Sequence, residues 1–208
     1  MFGDSVHAVR RRCGEILAEE HPAPADLVMP IPDSGTSAAL GYARASGIPL
    51  EMGFIRNHYV GRTFIQPTQG TRAADVGMKL NLVIDVVRGK RVVIVDDSII
   101  RGTTSRAHVR RLRAAGAREV HMRIACPPVR NPCHYGIDFP TKTELIAAQH
   151  EVSEIAKILE VDTLGYLSLE GMLRATSLGP ASYCTACYSG IYPVPVEAGL
   201  DKFVLERR

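Results

Sequence analysis

Residues 92–104 read Val92-Val93-Ile94-Val95-Asp96-Asp97-Ser98-Ile99-Ile100-Arg101-Gly102-Thr103-Thr104. Four β-branched residues in a row predict a strand buried on both faces, the mark of a parallel sheet. Two carboxylates stand at its carboxyl end, where open parallel sheets bind ligands. Gly102 then leads into Thr103, Thr104 and Ser105, which open a helix carried by Ala107, Val109, Leu112 and Ala115 and ended by Gly116. Helix N-termini and successive backbone N–H groups bind phosphate, and hydroxyls add donors. One loop therefore offers an anion cradle beside two carboxylates. Two adjacent carboxylates repel a bare phosphate, but they suit sugar hydroxyls or a Mg2+ ion next to it. A phosphorylated sugar satisfies both halves. The pattern is neither GxxxxGK[ST] nor GxGxxG.

Working outward, Asp26 to Ile31 is a short apolar run and predicts a second buried strand, stopped by the turn Pro32-Asp33-Ser34-Gly35. A helix through Ala38, Leu40 and Tyr42 ends near Gly47, and Ile48 to Phe54 suits a further strand. Glu119 to Ile124 alternates and predicts another. Upstream, Asp4 or Ser5 can cap a helix whose Val6, Val9, Cys13, Ile16 and Leu17 fall at helical spacing, until His21-Pro22-Ala23-Pro24 stops it. Strand, loop, helix, strand in repetition is a βαβ pattern with right-handed crossovers. From Pro127 onward prolines break the chain, and short helices are expected around 143–148, 153–160 and 169–176. The expected architecture is α/β: a doubly wound, mainly parallel sheet in a core of about 24–126, with a helical, cysteine-bearing appendage of about 127–208. Arg56 to about Leu80 is polar, carries Gly61, Pro67, Gly70 and Gly77, and shows no period. A stretch that long without regular structure is usually functional.

Composition sets the outer limits. The chain has 208 residues, enough for one large domain. At 46% hydrophobic and 23% charged it is neither disordered nor collagen-like. Twenty-five basic against 22 acidic residues leave +3, too little to point to nucleic acid. Arg10-Arg11-Arg12 and Arg110-Arg111-Leu112-Arg113 read as solvated helix faces. No apolar run approaches the ~18 residues of a membrane span, and no apolar signal region follows Met1, so a cytoplasmic location is expected. The five cysteines, Cys13, Cys126, Cys133, Cys184 and Cys187, are odd in number, which favours reduced thiols over a disulfide framework. Cys184-Thr185-Ala186-Cys187 is then a pair for metal or redox chemistry.

The stretch from Val93 to Thr104 resembles the phosphoribosyl pyrophosphate (PRPP) signature of type I phosphoribosyltransferases. Pro30-Ile31-Pro32-Asp33-Ser34-Gly35, Asn57-His58-Tyr59-Val60-Gly61-Arg62-Thr63-Phe64-Ile65, Lys79-Leu80-Asn81, Pro132-Cys133-His134-Tyr135-Gly136-Ile137-Asp138, Leu164-Gly165-Tyr166-Leu167 and Tyr183-Cys184-Thr185-Ala186-Cys187 extend the likeness to the amidophosphoribosyltransferase family, in order along nearly the whole chain. That resemblance implies a Mg2+-dependent pentosyltransferase that displaces pyrophosphate from PRPP with ammonia, giving phosphoribosylamine in the first committed step of purine synthesis. It implies that Asp96 and Asp97 bind the ribose hydroxyls and the Mg2+ site, and that Ser98, Ile99, Ile100, Arg101, Gly102, Thr103 and Thr104 cradle the 5′-phosphate. Ser34 falls on the metal–pyrophosphate side. Tyr59, Arg62 and Ile65 belong to the loop that closes over PRPP and lines an ammonia path.

In some members Cys133, Cys184 and Cys187 supply three of the four thiolates of a [4Fe–4S] cluster; zinc on three thiolates and His134 is the rival, and two buried thiols without metal the plain reading. Cys13 and Cys126 match no ligand position. The resemblance starts inside the phosphoribosyltransferase half. The expectation is therefore that a glutaminase domain or subunit, which also holds the fourth cluster ligand, is a partner, and that this chain does not itself hydrolyse glutamine. Homo-oligomers and inhibition by purine nucleotides are implied likewise. Two other readings share the PRPP loop: a binding module without catalysis (a sensor or a decayed fragment), and a purine-salvage phosphoribosyltransferase.

Overall fold

The computed structural model describes residues 3–57, 80–138 and 141–195. Its elements are α1 (Val6–Glu20), β1 (Leu27–Pro30), α2 (Thr36–Ser46), β2 (Phe54–Arg56), β3 (Leu80–Leu82), α3 (Ile84–Val87), β4 (Arg91–Asp96), α4 (Thr103–Ala114), β5 (Glu119–Ile124), α5 (Ile146–Gln149), α6 (Val152–Leu159), β6 (Thr163–Tyr166), α7 (Leu169–Arg174) and α8 (Ala186–Ser189), with short 3-10 turns at Lys142–Glu144 and Pro180–Ser182. β1, β4, β5 and β6 form one parallel sheet in the order β1-β4-β5-β6. The Val92–Val95 run is its centre, and all four residues are fully buried.

Strand period decides which side each residue serves. Val93 and Val95 face one layer with Val28, Val9, Leu17, Ala38 and Tyr42, under α1 and α2. Val92 and Ile94 face the other with Met29, Val109, Leu112, Ile155 and Leu159, under α4 and α6. Helices on both faces of a parallel sheet are the doubly wound arrangement the sequence predicts. α1 and α2 cross at two glycines. A Cβ on Gly14 would collide with the Ala38 carbonyl, and one on Gly41 with the Arg11 carbonyl. The two backbones approach this closely only because both side chains are missing.

Three expectations are corrected. Ile48 to Phe54 is not a regular strand: one parallel bridge joins Val28 to Leu50, with Val28 N–H donating to the Pro49 carbonyl and Glu51 N–H to the Val28 carbonyl at 2.8 and 2.9 Å. Pro49 has no N–H to continue a ladder, so the fifth strand is reduced to one bridge. Phe54–Arg56 turns away and pairs antiparallel with Leu80–Leu82 in a separate two-stranded ribbon. Finally, Thr163–Tyr166 is a strand, paired parallel to β5. The sheet therefore extends past residue 126, and the later helices pack on it directly.

Candidate active site

β4 ends at Asp96, and the chain turns there because its neighbours hold it. Ile31 N–H donates to the Val95 carbonyl at 2.8 Å and Ala125 N–H to the Asp96 carbonyl at 2.9 Å. Asp97 N–H donates to Asp96 Oδ1 at 2.9 Å, and the Ser98 hydroxyl lies 3.3 Å from Asp97 Oδ1. Burial, followed by the charge of Asp97, pushes the Asp96 carboxyl well above the ordinary carboxylate range; the Ser34 hydroxyl, hydrogen-bonded to it, works the other way. Two turns thus converge. The turn after β1 brings Ser34 and the turn after β4 brings Asp96 and Asp97. The Pro32–Asp33 peptide in the first turn is cis. Asp33 is ion-paired with Arg56 at the end of β2.

The loop from Ser98 to Gly102 leads into α4. Ile99 is buried in the core below it. Gly102 has φ +78°, a left-handed conformation that side-chain-bearing residues rarely adopt. The first helical bond of α4 is Arg106 N–H to the Gly102 carbonyl at 2.9 Å. The N–H groups of Thr103, Thr104 and Ser105 precede it and have no acceptor within the helix. Thr103 and Thr104 are exposed. The result is a row of donors at a positive helix end, next to two carboxylates and a hydroxyl. Asp96, Asp97 and Ser34 are half-buried and Ser105 is buried. A cavity of about 370 Å³ lies beyond β5 and β6, lined by His21, Pro128, Arg130, Tyr166 and Tyr188 among others, and neither carboxylate borders it.

Sequence reasoning missed the brace under this loop. Arg101 Nε donates to Glu144 Oε1 at 2.9 Å, and Ile146 N–H donates to the Ile100 carbonyl at 2.9 Å. The signal was present: Thr141 and Glu144 form a capping box, readable as T-x-x-E. Its partner across the fold was not readable. The Arg56–Asp33 pair was missed for the same reason.

Tyr59, Arg62 and Ile65 lie outside the described residues. The cysteines divide as the sequence expected in part. Cys13 and Cys126 are buried, Cys184 is exposed, and Cys133 and Cys187 are intermediate. Burial, with Cys133 and Cys184 facing it, raises the Cys187 thiol. The three expected ligands are therefore neighbours, yet among the described residues no group of three His, Cys, Asp or Glu is placed to hold a metal ion. Cys133 Sγ accepts the Tyr135 N–H at 3.4 Å, and His134 stacks edge-on with Tyr192 at 5.0 Å between ring centres.

Residues 4–142 match the family model described as the phosphoribosyl transferase domain. The amidophosphoribosyltransferase of Synechococcus elongatus is 54% identical over 206 residues, and that of Methanothermobacter thermautotrophicus 50% identical over 201. These alignments take in 98% and 97% of this chain but 42% of each relative, so the chain spans about two fifths of the length of the curated relatives it matches. Among solved structures, the glutamine PRPP amidotransferase of B. subtilis complexed with ADP and GMP superposes with a TM-score of 0.84 at 51% identity, over 95% of this chain and 44% of that one. A second, titled as the allosteric regulatory enzyme of purine biosynthesis, gives the same TM-score over 43% of its length. The parallel sheet with helices on both faces is the type I phosphoribosyltransferase fold. With the family model covering two thirds of its length, this chain belongs to the phosphoribosyl transferase domain family.

Proposed function

We propose that the chain is the PRPP-binding, ammonia-accepting part of an amidophosphoribosyltransferase, making phosphoribosylamine and pyrophosphate from PRPP and ammonia. The observation that carries this reading is the convergence of Asp96, Asp97 and Ser34 opposite the free N–H groups of α4. A phosphorylated sugar with a second phosphate group offers the hydroxyls and anions that such a set of groups would take. In this reading the 5′-phosphate takes the N–H groups of Thr103 to Ser105 and the Thr103 and Thr104 hydroxyls. The ribose hydroxyls donate to the carboxylates. Hard oxygen donors suit Mg2+, and Asp96, Asp97 and the Ser34 hydroxyl are those that would hold it. When bound, Mg2+ neutralises the leaving pyrophosphate.

The C1–O bond to pyrophosphate breaks as the ammonia lone pair forms the C1–N bond, and the ammonium proton formed is lost to solvent. Positive charge on the ribose ring at the transition state is stabilised by the Asp97 carboxylate, and by Asp96 where Mg2+ binding would displace the proton that burial holds on it. Ammonia is already a nucleophile, so the chain's contribution is positioning and exclusion of water. Tyr59 and Arg62 are the residues assigned to that exclusion. A [4Fe–4S] cluster would need Cys133, Cys184 and Cys187 to close round it with a fourth thiolate; mutual proximity is its support, and no step runs through it. Ammonia would arrive free or from a glutaminase partner, in the cytoplasm, where reduced thiols persist.

The test is pyrophosphate release from PRPP with Mg2+. Release that requires ammonium supports the reading. Release that requires a purine base instead would make the chain a salvage enzyme. PRPP binding without release under any acceptor would make it a sensor. Asp97→Asn should lower ammonium-dependent release by about a hundredfold, the loss typical of one preorganised electrostatic group.

A further inference from the structure

The phosphate-binding loop is held from outside by a segment that follows it by some forty residues. Thr141 to Ile146 lies against Ile100 to Gly102. Arg101 Nε donates to Glu144 Oε1 at 2.9 Å. Ile146 N–H donates to the Ile100 carbonyl at 2.9 Å. The Ile146 and Leu159 side chains occupy the space beside Gly102, where a Cβ would meet them at 2.9 and 3.3 Å. Glu144 is itself fixed before it meets Arg101. Its other oxygen, Oε2, accepts the Thr141 N–H at 3.2 Å and the Thr141 hydroxyl at 3.1 Å. The hydrogen bond from Arg101, followed by those from Thr141, holds the carboxyl below its usual range.

Arg101 and Glu144 are both near half-exposed, and a pair of that kind adds little to stability. Its value lies in direction. Arg101 precedes the left-handed Gly102 and sits beside a site for anions. An unheld guanidinium there can fold over the helix N-terminus or swing into solvent, and the loop backbone moves with it. A carboxylate locked by a capping box removes both options.

We propose that Glu144 is a positioning residue for the phosphate-binding loop: by holding Arg101 from the side, it fixes Ser98 to Thr104 in the conformation that takes the 5′-phosphate. It sets affinity for a phosphorylated ribose without touching it. This rests on the PRPP reading of the site.

The test uses the full chain and two probes with Mg2+. Ribose 5-phosphate needs the cradle, and pyrophosphate does not. Glu144→Gln keeps an oxygen for Thr141 and removes the charge. It should weaken ribose 5-phosphate binding roughly fivefold and leave pyrophosphate binding and the melting temperature unchanged. Arg101→Met should weaken the sugar phosphate as well, and adding Glu144→Gln to it should cost nothing more, because the glutamate acts only through the arginine. The proposal is overturned if Glu144→Gln binds ribose 5-phosphate like the parent chain, if both probes weaken together with a lower melting temperature, or if the double variant loses more than Arg101→Met. A parent chain that binds neither probe would overturn the PRPP reading itself, and this proposal with it.

Discussion

Asp96 and His108 titrate in opposite senses. Burial and Asp97 raise the Asp96 carboxyl, so the folded chain holds its proton to higher pH than the unfolded chain does. That stabilisation is complete below about pH 4, the ordinary value for an aspartate, and is lost as pH rises through the raised value. Asp96→Asn should therefore melt higher than the parent chain at pH 9, by an amount on the order of 1–2 kcal/mol, while abolishing pyrophosphate release. A variant melting lower at pH 9 would mean that the carboxylate is not strained. His108 is buried against Phe54, their ring centres 5.0 Å apart, and its Nδ1 has no partner among the described residues. Burial and Arg111 lower it to about 4. Its contribution is present above about pH 6.5 and lost as pH falls towards 4, up to roughly 3 kcal/mol. His108→Leu should flatten the melting curve between pH 6.5 and 4.5; His121, also lowered by burial, leaves a smaller slope of the same sign. Ser34 enters only through the resemblance, whereas the acidic end of β4 and the glycine and hydroxyls that open α4 were legible as local patterns. His108 was not, since only the packed α4 face shows that its ring is buried.

Element boundaries were legible wherever one residue type dictates the backbone. Gly47 closes α2 in a left-handed conformation, and Gly102 opens α4 from one. Thr163–Tyr166 was not legible as a strand: four residues with a glycine carry no alternation, and only pairing with His121 to Ile124 makes it one. The β2–β3 ribbon was hidden because its two strands are separated by the segment from residue 57 to 79. Two glycine substitutions test the elements. Gly102→Ala meets an unfavourable φ and the Ile146 side chain. It should cost about 1–2 kcal/mol and abolish binding of ribose 5-phosphate. Gly41→Ala drives a methyl into the Arg11 carbonyl. It should cost 1–3 kcal/mol or more, as overpacking does, and leave the chain's affinity for PRPP in the folded fraction intact. Denaturant midpoints and titrations on the same samples separate the two.

At the scale of the molecule, one buried arginine ties the layers together. Arg123 on β5 is 3% exposed. Its donors go to the His21 carbonyl at 2.7 Å, the Pro22 carbonyl at 3.1 Å and the Thr163 hydroxyl at 3.0 Å. The Tyr42 hydroxyl donates to the same His21 carbonyl at 2.9 Å. A guanidinium facing the carboxyl end of α1 is stabilised by the helix's negative pole, and its fork reaches α1, β5 and β6 at once. Arg123→Met strands the Pro22 carbonyl, while the His21 carbonyl keeps Tyr42 and the Thr163 hydroxyl keeps His121, and should cost about 1–3 kcal/mol, the penalty of an unsatisfied acceptor. Hydrogen exchange should show α1 opening first. Among the described residues no helix is long and apolar enough to cross a membrane.

The strand order also governs how the chain reaches this state. β1 has its ladder partner not in the next strand along the chain but in β4, from Leu27 to Val92. On a ribosome working at 5–20 residues per second, α1, β1 and α2 emerge and then wait roughly 3–10 s for the strand that covers them. Through that interval the apolar edge Leu27–Val28–Met29 is unpaired. Non-local parallel pairing is slow for the same reason in a test tube, because a long loop must close before any contact rewards it. Refolding from denaturant should be slow, and its yield should fall as protein concentration rises. A holdase added in the first seconds should recover that yield, whereas one added after the sheet has closed should not.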